Sequence, residues 1–304
     1  MRILVTGSSG TIGTRLCETL LAAGYDVLGI DWKENVWQSK IDAITVRADL
    51  RDPHACDAVK GTIDFVIHLA ANARVHDLVE HPSMALDNAV TTFHTIEWAR
   101  KAGVKGLIFA SSREVYGNDQ AAERYSENMV RITDTESPYS ASKLTGEAFV
   151  HAYARCYGLQ SIILRFSNVY GMYDDSNRVI PLWFRQARNN ETLRVFGKDK
   201  CLDFTYIDDT VQGIIGAVQH FDEAKNDTYN LAYGEGVSLL TVAEDIRRLL
   251  GSASEIALES SRTGEVVRYV ADITKAKEKL GYSPTTRYAS GIEKAIEWYV
   301  NRAA

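Results

Sequence analysis

Tyr139 and Lys143 stand four positions apart in a run that opens with Pro138. If that run is helical, the phenol and the ammonium share one face. A phenol is a poor base at its ordinary pKa of about 10. A neighbouring cation stabilises the phenolate and is expected to bring that value down. A tyrosinate so prepared can take a proton from a hydroxyl while hydride leaves the same carbon for a bound acceptor. Tyr-x-x-x-Lys spacing arises often by chance, but Ser112 adds to it. This serine ends an apolar run, and its hydroxyl is placed to hold the reacting oxygen and relay the proton.

The acceptor is expected at the start of the chain. Gly7, Gly10 and Gly13 are spaced G-x-x-G-x-x-G between an apolar run at 3–6 and a helical pattern. Glycine supplies the freedom for the turn, and the side-chain-free loop admits a pyrophosphate to the helix N-terminus, where Thr11 and Ile12 begin the first turn. Gly13 would let the helix pack closely on the sheet. Asp31 closes the second apolar run. A carboxylate there accepts from a ribose 2′-hydroxyl and repels a 2′-phosphate, which favours NAD over NADP. Lys33 would soften that preference. Asp49 and Leu50 follow the third run, and Leu69, Ala70 and Ala71 the fourth. Asp49 is expected near the adenine and the two alanines along the pyrophosphate, with an ordinary loop role as the alternative for each.

Elements of a particular kind must position these residues. Strand-like runs at 3–6, 26–31, 44–47, 65–69, 106–111 and 161–166 alternate with amphipathic stretches at 12–23, 85–102 and 141–157. That alternation predicts an α/β fold with a doubly wound parallel sheet, its ligands bound at the strand ends. After Gly171 the pattern becomes irregular. Helices are expected near 179–187, 211–221, 241–250, 273–280 and 289–301, with strands near 193–196 and 229–232. The division expected is an NAD-binding part over 1–171, rejoined by the chain at about 203–221, and a smaller α/β substrate part over 172–202 and 222–304.

Composition narrows the partners. A net charge of −6 offers no basic field for nucleic acid. The hydrophobic share of 45% and charged share of 24% are ordinary for a globular protein. Cys17, Cys56, Cys156 and Cys201 show no paired spacing, which argues against a metal site or a disulfide framework and for four small core residues in a reducing cytoplasm. No apolar run approaches the roughly 20 residues that cross a bilayer, and the N-terminus shows no basic leader. A cytoplasmic protein, away from membranes, is the expectation.

Taken together, the glycine loop, the run Ser111 to Gly117, the Tyr139–Lys143 pair and the run Arg165 to Gly171 resemble the extended short-chain dehydrogenase/reductase family. Within it the chain is most similar to nucleotide-sugar epimerases of the UDP-glucose 4-epimerase type. The resemblance spans nearly the whole chain and implies Ser112, Tyr139 and Lys143 as the catalytic triad. It implies Asn88 as a cofactor-side residue, although Thr91 stands where the family has a glycine. It further implies Asn168 and Arg262 at the diphosphate of a UDP-sugar, and Phe196 with Gly197 at the nucleobase. Arg178 falls on the substrate edge, where the alternative is an exposed loop arginine. Relatives in the family pair as dimers through two helices, here 85–102 and 141–157.

Two positions depart from the family pattern. Leu202 replaces an arginine that pairs with the diphosphate, leaving Arg194, Lys198 or Lys200 to compensate, although a lysine is a point charge and no bidentate fork. Arg113 and Glu114 stand where dehydratases carry Asp-Glu, so water loss lacks its acid. The implied activity is epimerisation at C4 of UDP-glucose, UDP-N-acetylglucosamine or UDP-glucuronate through a transient 4-keto sugar. Arg113 and Arg178 suggest a carboxylate on the sugar. The alternatives are a decarboxylase or dehydratase using Glu114 as base, and a redox-silent NAD-binding regulator, which would not need the Tyr–Lys pair.

Overall fold

A computed structural model describes residues 1–119 and 122–303. Its first half alternates β1 (Arg2–Thr6), α1 (Thr11–Ala22), β2 (Asp26–Asp31), α2 (Ser39–Ala43), β3 (Thr45–Arg47), β4 (Phe65–His68), α3 (Val75–Glu80), α4 (Ser83–Ala102), β5 (Gly106–Ser112), α5 (Pro138–Tyr157) and β6 (Ser161–Phe166). The second half runs β7 (Asn168–Tyr170), α6 (Val179–Arg188), β8 (Leu193–Phe196), β9 (Cys201–Tyr206), α7 (Ile207–Gln219), α8 (Phe221–Ala224) and β10 (Asp227–Leu231). It ends with β11 (Gly236–Ser238), α9 (Leu239–Leu249), β12 (Ile256–Glu259), β13 (Arg268–Tyr269), α10 (Thr274–Leu280) and α11 (Tyr288–Ala303).

Seven parallel strands form one sheet in the order β10-β6-β5-β4-β1-β2-β3. This is the doubly wound sheet that the alternation of runs predicts. Its two faces take alternate residues: Ile3, Val5, Ile67 and Ile108 enter one core, and Leu4, Val66, Leu107 and Phe109 the other. Every residue of β5 and β6 is buried, which is why these strands read as continuous apolar runs. Strand order reverses between β1 and β4, so the crevice for a ligand opens beyond the C-terminal ends of those two strands.

The smaller part is built on β9, which pairs in parallel with β7 and β13 and antiparallel with β11. A separate parallel pair joins β8 to β12. The division drawn from sequence needs two corrections. Residues 227–231 extend the large sheet, because β10 pairs along the whole of its length with β6. Residues 203–206 belong to the small sheet with the rest of β9, and the return begins with α7, which packs on α1, β5 and β6.

Local signals place α5, the helix that carries the Tyr–Lys pair. Ser137 caps it, accepting from the Ser140 N–H at 3.2 Å while the Ser140 hydroxyl accepts from the Ser137 N–H at 3.0 Å. Pro138 takes the first helical position, so the run that opens with Pro138 begins the helix and carries Tyr139 and Lys143 in its first turns. Cys17 and Cys56 are buried and Cys201 is half-buried, but Cys156 is exposed on the last turn of α5. The expectation of four core cysteines fails at that one, since the helix turns residue 156 to the surface. Among the described residues, no helix is long and apolar enough to cross a membrane. No group of three or more metal-ligating side chains is found among them either.

Candidate active site

Gly7 leaves β1 with φ of +73°, and a Cβ there would come within 2.8 Å of the Ala70 nitrogen. A Cβ at Gly13 would overlap the Gly7 carbonyl. The loop is therefore side-chain-free by necessity where it approaches the segment after β4. Gly10 is the N-cap of α1 and offers no side-chain cap, so the first-turn N–H groups near Thr11 and Ile12 remain for an anion. Thr11 also donates its hydroxyl to the Tyr173 carbonyl at 2.9 Å. Asp31 is buried, and its oxygens accept the Ser9 and Lys33 N–H groups at 2.9 and 2.8 Å. Each oxygen retains a lone pair for a ribose hydroxyl. These features fit a dinucleotide.

The flanking positions behave differently from one another. Ala70 lies against Gly7 between Leu69 and Ala71, and its N–H donates to the Thr6 hydroxyl. Leu50 is buried in the core. The Asp49 carboxylate is held by Arg51 at 2.6 Å, and that guanidinium pulls its pKa below the usual carboxylate range. Its carboxylate is thus paired with an arginine and still partly exposed. Asn88 is a buried brace. It accepts the Asn72 N–H at 2.7 Å and donates to the Asn72 carbonyl at 2.9 Å and the Ser142 hydroxyl at 3.2 Å. It thereby fixes the loop after β4 to α5. Trp32, which sequence reasoning passed over, stands exposed beside Asp31 with Arg51 and Lys33 about its ring. An aromatic directly after the acidic strand end was the signal for it.

At the ends of β5 and α5 the three catalytic candidates meet. Tyr139 is buried, and the Ser112 hydroxyl is among the groups that act on its phenol. Lys143 donates to the Ala110 carbonyl at 2.8 Å and lies 5.9 Å from the Tyr139 ring centroid. Burial brings its ammonium down to about 8, against the pull of Glu147 one turn further along α5. Burial pushes the Tyr139 phenol up; Ser112, Arg178 and Arg113 oppose that, and Glu114 adds to it. Desolvation of the phenol outweighs these side chains. Glu147 was missed by sequence reasoning, although its i+4 spacing from Lys143 was there to read. It forms a buried two-bond pair with Arg165, at 2.9 and 2.8 Å, and accepts the Ser111 hydroxyl at 2.5 Å.

Beyond Ser112 lies a run of buried charge. Arg113 donates through Nε to Asn168 Oδ1 and pairs through Nη2 with Glu114 Oε1 at 2.7 Å. Glu114 is pushed up by burial, which Arg113 and Lys200 oppose. Lys200 pairs with Glu265 at 2.6 Å in the interior. Of the three cations expected to stand in for the arginine missing at Leu202, then, Lys200 is committed to Glu265. Arg194 is committed to Glu259 at the surface, and Lys198 lines an open hollow with Gly197, Leu258 and Ser261. Leu202 itself is buried in the core. Arg262 stacks on the Phe196 ring, 3.8 Å from its centroid. Arg178 is partly exposed, 3.9 Å from the buried Asp174.

Residues 3–232 match the model of the NAD dependent epimerase/dehydratase family. A putative UDP-glucose 4-epimerase of Methanocaldococcus jannaschii is 32% identical over 313 residues, covering 98% of each chain. The crystal structure of a UDP-glucose 4-epimerase of Thermotoga maritima with UDP-glucose superposes with a TM-score of 0.91 at 27% identity over 100% of both chains. A UDP-glucuronic acid 4-epimerase of Bacillus cereus, in complex with UDP-glucuronic acid and NAD, gives 0.90 at 27% identity, covering 99% of this chain and 100% of that one.

Proposed function

This chain belongs to the NAD dependent epimerase/dehydratase family, and on that premise we propose that it inverts C4 of a UDP-hexose through a transient 4-keto sugar. The observation that carries this reading is the buried meeting of Tyr139, Ser112 and Lys143 at the sheet edge beside the glycine loop. When bound, NAD supplies the acceptor that takes the C4 hydride and gives it back to the opposite face. Gly7, Gly10, Thr11, Ile12 and Gly13 would hold its pyrophosphate with Leu69, Ala70 and Ala71 alongside, and Asp31 its ribose. Asp49, Leu50 and Asn88 complete the cofactor side, Asp49 toward the adenine.

Tyr139 removes the C4 hydroxyl proton and later returns it, so one proton and one hydride leave and come back with no net oxidation. Ser112 holds the reacting oxygen. Lys143 supplies positive charge beside the phenol, which favours its ionised form. Asn168 and Arg262 anchor the diphosphate while the keto sugar turns over, and Phe196 with the hollow at Gly197 takes the nucleobase. Incubation with UDP-glucose, UDP-N-acetylglucosamine and UDP-glucuronate, read by NMR at C4 and C5, tests the proposal. A C4 epimer of at least one is expected, and none from any of the three overturns it. Released CO2 or a stable 4-keto-6-deoxy product would assign the decarboxylase or dehydratase reading instead. The exposed Leu86 and Phe93 on α4 support pairing of two copies through α4 and α5, for which light scattering should return twice the chain mass.

A further inference from the structure

Two unpartnered atoms stand on adjacent residues of the turn that follows Ser112. Nη1 of Arg113 and Oε2 of Glu114 are both buried without a hydrogen bond. The remainder of each head group is engaged, Arg113 with Asn168 and Glu114, and Glu114 with Arg113. Their side chains are only 10% and 5% exposed. An unmet polar atom on a buried charged group costs more than an ordinary hydrogen bond returns, and such an atom is commonly kept where a ligand meets it. The location agrees. The Glu114 N–H donates to the Ser112 hydroxyl at 3.2 Å, and both Glu114 and that hydroxyl act on the Tyr139 phenol. On its other side, Arg113 holds the residue assigned to the diphosphate. The ion pair therefore lies along the path a sugar takes between its reacting hydroxyl and its phosphates.

The two atoms differ in what they ask for. Nη1 only donates, and an ionised Oε2 only accepts. A hydroxyl satisfies both at once, accepting from Arg113 and donating to Glu114. A carboxylate satisfies Arg113 but brings a second negative charge against Glu114. A bare hydrogen leaves both atoms unmet. Because Glu114 already neutralises Arg113, this arginine is no free cation for an acidic sugar, and the expectation of a uronate held by Arg113 is set aside. Resting on the epimerase reading above, we propose that Arg113 and Glu114 read the hydroxymethyl hydroxyl at C6, carried on C5 beside the reacting C4. They thereby select a neutral UDP-hexose over a UDP-uronate or a UDP-pentose.

Binding of UDP-glucose, UDP-glucuronate and UDP-xylose to NAD-loaded Tyr139→Phe protein, measured by calorimetry, tests this without turnover. UDP-glucose is expected to bind about 10- to 100-fold tighter than either of the others. Equal or tighter binding of the uronate or the pentose overturns the proposal. Glu114→Gln removes the negative charge and keeps the shape, so it should narrow the glucose-to-glucuronate gap about tenfold while the glucose-to-xylose gap stays; an unchanged uronate gap in folded Glu114→Gln also overturns it. If that variant fails to fold, the three-ligand order decides alone. Hydroxymethyl preference without any C4 epimer from the wild-type enzyme would sink the epimerase reading and leave this recognition standing.

Discussion

Burial drives Tyr139 and Lys143 toward their neutral forms from opposite directions, the phenol up and the ammonium down to about 8. In the proposed mechanism the pair works as a base only while Lys143 keeps its proton. The charge is present below about pH 8 and is lost as pH rises through that value, so kcat/KM is expected to fall on the alkaline side from about pH 8. Lys143→Arg, whose guanidinium stays charged above pH 12, should move that limb upward even if it lowers the plateau. A pH–rate profile from 6 to 10 checks this, and an alkaline limb at the same pH in both proteins would exclude Lys143 as its source. Tyr139→Phe should lower turnover by about 10²- to 10⁴-fold with NAD still bound. A variant that retains activity would remove the phenol from the chemistry. The Tyr139–Lys143 spacing could be read from the chain because it is local, one turn of α5. The Arg113–Glu114–Asn168 contacts could not, because they depend on rotamers and on a strand, β7, that comes much later in the chain.

The elements differ in how plainly the sequence announces them for a physical reason. Strands β1, β2, β4, β5 and β6 are apolar along most of their length, since helices cover both faces of the sheet. The strands β7, β11 and β13 have two or three residues each, too few to show any period. The polar Asp203 within β9 hides that strand too. Its carboxylate is buried to accept the Tyr233, Gly234 and Ala271 N–H groups, and burial raises it to about 6. His68 plays a comparable role on β4. Its ring bridges the Thr6 hydroxyl at 2.7 Å and the Thr92 hydroxyl at 3.1 Å, joining β1 and α4 to β4. Burial lowers this imidazole from 6.5 to about 3. Between those values the unfolded chain takes up a proton that the folded one refuses, so stability falls as pH drops below 6.5. At pH 5 the loss from this group amounts to about 2 kcal/mol. Urea unfolding at pH 7 and pH 5 should show that difference in the wild type. His68→Gln should lack most of it, and an equal slope in both proteins would place the acid sensitivity elsewhere.

At the scale of the molecule, the two parts are clasped over the cofactor loop by aromatic rings far apart in the chain. Trp37, between β2 and α2, packs on Trp298 of α11 at 5.7 Å and on Tyr173 after β7 at 6.0 Å. Tyr173 adopts φ of +65°, a conformation that costs a non-glycine residue on the order of 1 kcal/mol, so its surroundings must hold it there. They do so at both ends. Its carbonyl accepts the Thr11 hydroxyl, and its own hydroxyl accepts from Gln38 at 2.9 Å. Arg302 closes the stack, 4.4 Å from the Trp37 ring centroid. No local pattern reveals this clasp, because its members lie in a loop, a turn and the last helix. Trp37 is only half-buried, so Trp37→Ala should cost about 1–3 kcal/mol, below the range for a fully buried tryptophan. Because the contact joins the start of α1 to α11 through Tyr173, the same variant should also speed hydrogen exchange in the last turns of α11. It should speed release of bound NAD as well, while β5 and β6 remain protected. Trp37→Phe, which keeps a ring in place, should recover most of the stability. Unchanged exchange in α11 and unchanged NAD release in Trp37→Ala would show that the two parts hold together without this clasp.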